Sequence, residues 1–266
     1  MPHLLAVASP KGGVGKTTTA IHLSVALASA GRSVLLVDCA PQGNASSGLG
    51  VAKDLAERGT ADLLFGFCDV ARAAVPTSMP GLDLVPATRA LVGAELELAG
   101  YHDRELRLRT ALRAGASAYD HVILDCPPSL GLLTVNALAA ATGVLLPLNG
   151  EFFAMEGLCD ALRCISAVRQ GLNRKLERLG VLLTMVDRRS RIGHEIGVEA
   201  RAVFGAEVYE AEIPRDVRVQ EAASFGMPLD LHAPDARAVE AYRTFTLEFL
   251  ARVEPPPWAS LALEAS

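Results

Sequence analysis

The chain alternates short apolar runs with longer segments in which apolar residues recur at helical spacing. The runs are rich in Leu, Val and Ile and occupy residues 4–8, 33–38, 82–87, 121–125, 143–148 and 179–186. Strands without polar alternation are buried on both faces, as in a parallel sheet covered by helices. We therefore predict six strands of one buried sheet.

Helical segments separate these runs. Residues 17–31 end at Gly31, a stop signal; residues 103–117 open with Asp103 as an N-cap; and residues 156–172 have helical apolar spacing. Because strand and helix alternate, we predict an α/β fold with a doubly wound, mostly parallel sheet flanked by helices.

The 266 residues, half of them apolar, suffice for one large domain, which we place at residues 1–252. Residues 253–266 contain three consecutive prolines and are predicted to form a flexible tail. The chain has neither a membrane-length apolar run nor the pattern of a signal peptide, so we expect a cytoplasmic protein without membrane attachment.

Charge and cysteine content exclude some classes of protein. The net charge of −5 argues against a wholly basic nucleic-acid coat, although a local basic face is compatible with it. The five cysteines are scattered and odd in number, without a C-x-x-C pair, which favours free thiols over a disulfide framework.

The stretch "PKGGVGKTTTA" at residues 10–20 lies between a predicted strand and a predicted helix. Glycines let backbone N–H groups surround phosphate oxygens, and the helix directs its positive end at them. Lys16 is predicted to bridge the β- and γ-phosphates, and the Thr17 hydroxyl to bind Mg²⁺. The full predicted nucleotide-binding set in this loop is Lys11, Gly12, Gly13, Val14, Gly15, Lys16, Thr17 and Thr18.

A second acidic site follows the run "HVILD" at residues 121–125. An Asp at the end of a buried strand can hold a Mg²⁺-bound water beside the phosphates, and Asp125 fits that role. A lone Asp at a strand end is equally often a helix cap, but its combination with the phosphate loop favours the metal role.

The form "KGGVGKTT" resembles the deviant Walker A motif of the ParA/MinD family of ATPases, which have a P-loop NTPase fold of the SIMIBI type. The resemblance extends from about residue 4 to residue 252 through "LLVDCAPQGNASSGLG", "EFFAMEGL" and "IPRDVRVQEAASFGMPL", and is strongest to the chromosomal ParA (Soj) group. It implies a homodimer formed around ATP, in which Lys11 reaches the partner's nucleotide. It also implies that Glu151 to Glu156 line the dimer interface and that Pro214 and Arg215 lie near the adenine.

The same resemblance implies partners. A dimer of this family binds double-stranded DNA without sequence preference, and the predicted DNA-binding arginines are Arg188, Arg189, Arg191, Arg215 and Arg218. A solvated face is the alternative for such a cluster. The resemblance further implies stimulation by a ParB-like protein and association with the nucleoid. The C-terminus lacks the basic amphipathic helix that a MinD-like membrane binder would need.

One position departs from the family pattern D-x-D-P-Q-G-N. Asp38 matches the first Asp, a predicted Mg²⁺ ligand partly through water, but Ala40 replaces the second, which orients the attacking water. A methyl group accepts no hydrogen bond, so we predict slow hydrolysis with ATP binding retained. Two explanations stay open: an introduced replacement that traps ATP, or a natural slow ATPase.

Three other functions stay open at this point. One is a small-molecule enzyme that transfers phosphate on a related fold, which would give no reason for Lys11. Another is an iron–sulfur carrier, for which Cys126 beside Asp125 would be relevant. The third is a MinD-like positioning ATPase.

Overall fold

The computed structural model describes residues 2–52, 56–150, 154–187 and 191–254. Within these residues one sheet contains eight strands. In chain order they are β1 His3–Val7, β2 Val34–Asp38, β3 Val75–Pro76, β4 Leu82–Val85, β5 His121–Asp125, β6 Gly143–Asn149, β7 Glu177–Val186 and β8 Val208–Pro214.

The strand order across the sheet is β3-β4-β2-β5-β1-β6-β7-β8. All neighbours are parallel except β3 and β4, which pair antiparallel. Strands β2 and β5 lie on one side of β1 in the sheet, whereas β6 lies on the other side, so the connections that follow these strands run in opposite directions. Open α/β folds bind ligands at such a point. The predicted doubly wound, mostly parallel sheet is confirmed.

Helices cover both faces of this sheet. In chain order they are α1 Lys16–Ser29, α2 Asn44–Gly48, α3 Thr60–Phe65, α4 Val70–Ala73, α5 Ala94–Leu98, α6 Arg107–Gly115, α7 Leu132–Ala140, α8 Ala154–Gly171, α9 Arg191–Phe204, α10 Arg218–Ser224, α11 Leu229–His232 and α12 Arg237–Val253. Short 3₁₀ turns occupy Arg89–Val92 and Gly205–Glu207. In the described ranges no helix has the length and apolarity needed to span a bilayer.

Alternate residues of the central strands enter two separate cores. Leu5 and Val7 of β1 pack with α1 and α12 on one face, whereas Ala6 packs with the helices of the other face. This arrangement buries both faces of each central strand, which explains the uninterrupted apolar runs.

Three local features differ from the sequence-based prediction, and the first is the unpredicted two-residue strand β3, which pairs antiparallel with β4. Strand β8 was not predicted, because it lies at the sheet edge and places Glu210 and Glu212 among its apolar residues. The prediction that Asp103 caps a helix is wrong: α6 begins at Arg107, after Leu106 at the cap position. The Asp103 carboxylate instead accepts hydrogen bonds from the Arg107 guanidinium at 3.2 and 3.3 Å.

The C-terminal helix α12 ends at Val253. Of the predicted tail, residues 255–266 lie outside the described part of the chain.

Candidate nucleotide site

The phosphate loop connects the carboxyl end of β1 to α1. Gly13 and Gly15 have φ of 76° and 84°, in the left-handed region that only glycine adopts readily. Gly15 is the N-cap residue of α1, and no side chain caps this helix. Its first N–H groups therefore remain available to an anion, at the positive end of a helix of 14 residues.

Lys16 is the first residue of α1, and its side chain is buried. Its ammonium group donates a hydrogen bond to the Lys11 carbonyl at 2.8 Å. Burial lowers the pKa of Lys16, while the nearby Asp125 and Cys126 act in the opposite direction. A buried cation beside uncapped helix N–H groups is a strong binding element for phosphate.

Strand β7 holds the phosphate loop in place. The Thr184 hydroxyl donates to the Val14 carbonyl at 2.8 Å, and the Thr184 side chain lies 3.7 Å from the position that a Cβ on Gly15 would occupy. Sequence reasoning missed Thr184, because its contact with the loop joins residues that are 170 positions apart. No local signal in "LLTMVD" identifies it.

Asp38 and Asp125 end two neighbouring strands at the same level. They are direct partners in the parallel register of β2 and β5, and both are fully buried. Val7, which precedes the phosphate loop, is the partner of Asp125 on β1. The sheet therefore places both carboxyl groups beneath the phosphate loop.

The Asp38 carboxylate is held by protein donors. Its Oδ2 accepts from the Ser46 N–H at 2.9 Å and the Ser46 hydroxyl at 2.7 Å, and its Oδ1 accepts from the Ala40 N–H at 3.1 Å. These bonds attach the first turn of α2 to the end of β2. Because a carboxylate has about four acceptor sites, little capacity remains for a direct metal bond.

Within the described part of the chain, neither oxygen of the Asp125 carboxyl accepts a hydrogen bond of normal geometry. Burial raises its pKa well above the usual range, and the charge of Asp38 adds to this, whereas Thr17 and Lys16 oppose it. The Thr17 hydroxyl and the Lys16 ammonium are therefore the groups of this chain that favour the charged form of Asp125. A buried carboxyl that is incompletely compensated destabilises the fold until a ligand pairs with it.

These residues fit a nucleoside triphosphate with Mg²⁺. The orphaned Asp125 carboxyl and the Thr17 hydroxyl supply hard oxygen ligands of the kind that Mg²⁺ takes, directly or through water. The uncapped α1 terminus and Lys16 supply donors for phosphate.

Ala40 follows β2 in the loop that leads to α2. It is buried, with 4% of its surface exposed, and its backbone N–H and C=O are used by Asp38 and Gly43. Only a methyl group projects from this position. The site therefore has no hydrogen-bond acceptor where the D-x-D pattern would place its second carboxylate.

The predicted adenine residues lie at the end of β8. Pro214 and Arg215 line a cavity of about 790 Å³ together with Asp187 and Val217. The Arg215 N–H donates to the carbonyl of Val186 at 3.2 Å, two residues along β7 from the Thr184 that holds the phosphate loop. Strand β7 therefore connects the cavity to the residue that holds the phosphate loop.

The structure describes only part of the predicted dimer interface. Glu151 lies outside the described residues, and Glu156 lies in α8 with its side chain outside the description. Gly157 approaches the loop, because a Cβ placed there would lie 3.6 Å from the Lys11 Cβ. The start of α8 therefore lies against Lys11.

The structure describes the side chains of two of the five predicted DNA-binding arginines, Arg215 and Arg218. Arg188 and Arg189 lie outside the described residues, and the side chain of Arg191 is likewise not described. Arg215 is exposed and lines the cavity. The Arg218 guanidinium forms ion pairs with Asp216 at 3.2 Å and Asp235 at 3.5 Å, so its charge is partly neutralised.

The cysteines near the site are buried in the core. The Cys39 and Cys126 thiols donate to the carbonyls of Val37 and Leu124, both at 3.8 Å, and burial raises the pKa of both thiols. Over the described ranges no group of three or more His, Cys, Asp or Glu side chains could hold a metal ion by itself.

The chain is similar to known proteins over nearly its whole length. A family model described as an AAA domain matches residues 3–178. The chain is 49% identical over 251 residues to a chromosome partitioning protein ParA of Caulobacter vibrioides, covering 94% of each. It is 45% identical over 251 residues to the sporulation initiation inhibitor protein Soj of Bacillus subtilis, covering 94% of this chain and 99% of the relative.

A solved structure shares the architecture. It is named cobyrinic acid a,c-diamide synthase from Mycobacterium smegmatis with bound ATP analog and magnesium, and is 36% identical with a TM-score of 0.84, covering 96% of this chain and 97% of that chain. The identity to the chromosome partitioning protein ParA, at 49%, and to Soj, at 45%, is higher than to this solved structure. The chain belongs to the ParA/Soj family of partitioning ATPases.

Proposed function

We propose that this protein is an ATP-dependent DNA-partitioning ATPase whose hydrolytic step is impaired by Ala40. The observation that carries the proposal is the Asp125 carboxyl, which is fully buried, accepts no hydrogen bond of normal geometry from the described residues, and lies near the buried Lys16 and the uncapped α1. This arrangement is stabilised by a bound polyphosphate with Mg²⁺. The similar solved structure with an ATP analog and magnesium supports the same ligands.

Each residue at the site has a separate task in this proposal. Lys16 and the N–H groups of the loop bind and orient the phosphates, and Thr17 and Asp125 hold Mg²⁺, directly or through water. Bound Mg²⁺ would neutralise charge on the phosphates. Asp38 positions α2 and the Ala40 loop by its three hydrogen bonds.

Ala40 determines what happens after binding. Phosphoryl transfer depends on positioning and electrostatic stabilisation, and a missing water-orienting carboxylate lowers the rate without removing phosphate contacts. The protein therefore binds ATP and stays in the ATP-bound form. Release by hydrolysis is the slow step.

The test is steady-state phosphate release by this chain beside its Ala40→Asp variant, with DNA and a ParB-like peptide present. We expect the Asp variant to turn over on the order of 100-fold faster, with similar ATP affinity. Ala40→Asn, which has the same shape without the charge, is the matched control and should give a smaller gain. Equal turnover of all three proteins would show that another residue orients the water.

Dimerisation around ATP is the second part of the proposal, and the shared surface of Lys11 and Gly157 supports it. A Lys11→Ala variant should bind ATP yet remain monomeric in analytical ultracentrifugation with Mg²⁺ and ATP. Lys175→Ala, on the opposite edge of the sheet, is the control. A dimeric Lys11→Ala variant would contradict the assignment.

Nonspecific DNA binding is the third part. Arg218→Glu should reduce retention on double-stranded DNA without affecting ATP binding, and retention should fall steeply with salt. Arg243→Glu is the matched control, because Arg243 also forms an exposed ion pair, with Asp230 at 3.4 Å. Unchanged retention for Arg218→Glu would assign Arg218 to its local ion pairs with Asp216 and Asp235 alone.

A further inference from the structure

A second cavity lies at the amino ends of β1 and β6, whereas the nucleotide site lies at the carboxyl end of β1. It has a volume of about 630 Å³, and we call it the basal groove. It is bounded by α6, the C-terminal end of α7 and the residues that follow α8. Its described lining is Pro2, Leu4, Arg109, Leu112, Arg113, Ser117, Ala139, Ala140, Ala141, Thr142, Leu172, Asn173, Arg174 and Lys175.

The floor of the basal groove presents apolar groups. The Thr142 hydroxyl accepts from the Leu4 N–H and donates to the Leu4 carbonyl, both at 3.0 Å. The Asn173 amide donates to the carbonyls of Leu138 and Ala141 at 3.0 and 2.7 Å. Because the polar groups of these two side chains already hydrogen-bond to the backbone, the floor presents mainly apolar atoms to a ligand.

The rim of the basal groove is cationic. Arg109 donates to the Leu172 carbonyl at 3.0 Å, whereas Arg113, Arg174 and Lys175 are exposed and have no ion-pair partner among the described residues. No Asp or Glu belongs to the described lining.

The acidic residues that flank the groove in sequence do not belong to its described lining. Asp120 accepts from the Ser33 N–H at 2.8 Å, and Glu177 is exposed but does not line the groove. Four cations around one apolar cavity repel one another in a chain whose net charge is −5. A bound anion would relieve this repulsion, and an apolar ligand would cover the floor.

We propose that the basal groove binds an acidic amphipathic segment of a partner protein. Apolar side chains of that segment fill the floor, and its carboxylates pair with Arg113, Arg174 and Lys175. This ligand satisfies both properties of the groove, as amphipathic helices do in other apolar grooves. Double-stranded DNA would supply anionic groups but no apolar side chains for the floor.

The position of the groove makes this interaction independent of the nucleotide. The phosphate loop follows the carboxyl end of β1, and Leu4 lies near its amino end, so the two sites are separated by about 10 to 15 Å of strand. An occupant of the basal groove therefore does not compete with ATP, nor with a partner subunit on the surface of Lys11 and Gly157.

The test uses the full chain and a fluorescent helical peptide of about 16 residues built from Leu and Glu, followed by fluorescence anisotropy. The control peptide replaces every Leu by Ser and keeps the charge. We expect the Leu/Glu peptide to bind about tenfold more tightly than the Ser/Glu peptide, with affinity unchanged by Mg²⁺ and ATP.

Variants locate the binding surface. Arg113→Glu combined with Lys175→Glu should weaken binding of the Leu/Glu peptide about tenfold or more. Arg169→Glu, at an exposed arginine of α8 outside the lining, should leave it unchanged. Ala140→Trp should also weaken binding by filling the floor, and thermal unfolding of each variant checks that it folds.

Three results would overturn the proposal. Equal binding of the two peptides would show that charge alone causes binding and that the apolar floor does not contribute. A duplex DNA that competes with the peptide and is lost with the same variants would make the groove a DNA surface. Peptide binding that appears only in a chain cut after Glu254 would identify residues 255–266 as the occupant.

Discussion

The carboxyl ends of β2 and β5 carry the same residue in the same register, yet their surroundings differ. Asp38 and Asp125 are partners across two parallel strands, and neither is exposed to solvent. Asp38 accepts three hydrogen bonds from Ala40 and Ser46, whereas Asp125 accepts none. Burial raises the pKa of Asp125 well above its usual range.

The difference separates a structural carboxylate from a functional one. The three donors around Asp38 offset the cost of burying its charge and hold α2 against the sheet. Thr17 and Lys16 only partly offset the burial of Asp125, whose pKa stays raised, so a ligand can supply the rest. A buried acid that lacks partners is therefore the better marker of a binding site than a buried acid alone.

The strongest test of this comparison is Asp125→Asn. The amide keeps the shape but removes the charge, so Mg²⁺-dependent ATP binding should weaken by about 100-fold, measured by isothermal titration calorimetry. Without nucleotide, the free energy of unfolding at neutral pH should be unchanged or higher, because a buried charge is removed. A variant that unfolds more easily would show that Asp125 is structural.

The converse test is Asp38→Asn. The amide cannot accept all three hydrogen bonds, and we expect the free energy of unfolding to fall by about 2 kcal/mol in chemical denaturation. Asp103→Asn is the control, because Asp103 is partly exposed and its ion pair with Arg107 is of the solvent-accessible kind that contributes little. If Asp38→Asn left stability unchanged, the contrast with Asp125 would disappear.

His22 is a buried polar side chain outside the pair of Asp38 and Asp125, and it tests whether burial without a partner also costs stability there. Its Nδ1 has no partner, and burial lowers its pKa to about 4 from an ordinary 6.5. The pKa of His22 is lower in the folded state than in the unfolded state. The contribution of neutral His22 to stability is therefore complete above pH 6.5 and is lost as the pH falls toward 4.

Between pH 7 and about pH 5.5 this group should therefore cost about 1 kcal/mol of stability, seen as a falling midpoint of chemical unfolding. His22→Leu should reduce that slope, whereas His102→Leu, at an almost fully exposed side chain, should not. Equal slopes in both variants would indicate that burial at His22 has no thermodynamic effect.

The smallest expected effect is that of Ser46→Ala. The Ser46 hydroxyl donates to Asp38 at 2.7 Å and accepts from the Ala87 N–H at 3.0 Å. Its removal should lower the free energy of unfolding by about 1 kcal/mol in chemical denaturation, because the Ser46 N–H still bonds Asp38. Ser224→Ala, which loses one exposed bond to the Glu221 carbonyl, serves as the control. A loss no greater than that of the control would mean that the hydroxyl adds nothing to the hold on Asp38.

Part of the fold was predictable because it depends on local patterns. Continuous apolar runs located the central strands, and Gly31, which adopts a φ of 82°, follows the end of α1. Strand β8 was missed because an edge strand tolerates polar residues such as Glu210. Asp103 was misassigned because its side chain pairs with Arg107 instead of capping α6.

The residues of the candidate site likewise include some that the sequence predicts and some that it does not. The phosphate loop follows from glycine spacing and from Lys16, which act over a few residues. Thr184 depends on a contact 170 positions away, and no local pattern predicts it. The ion pairs of Arg218 with Asp216 and Asp235 were likewise absent from the sequence-based prediction, which treated this arginine as free to bind DNA.

By itself, the sequence determined the class of the fold, the phosphate loop and the substitution at position 40, because apolar periodicity, glycine spacing and side-chain chemistry are local properties. Only the tertiary structure decided that, among the described residues, Asp38 accepts hydrogen bonds while Asp125 does not, and that three cations without a described ion-pair partner surround an apolar groove at the opposite end of the strands. Those properties depend on which donors and charges packing brings within a few ångströms, and such neighbours are distant along the chain.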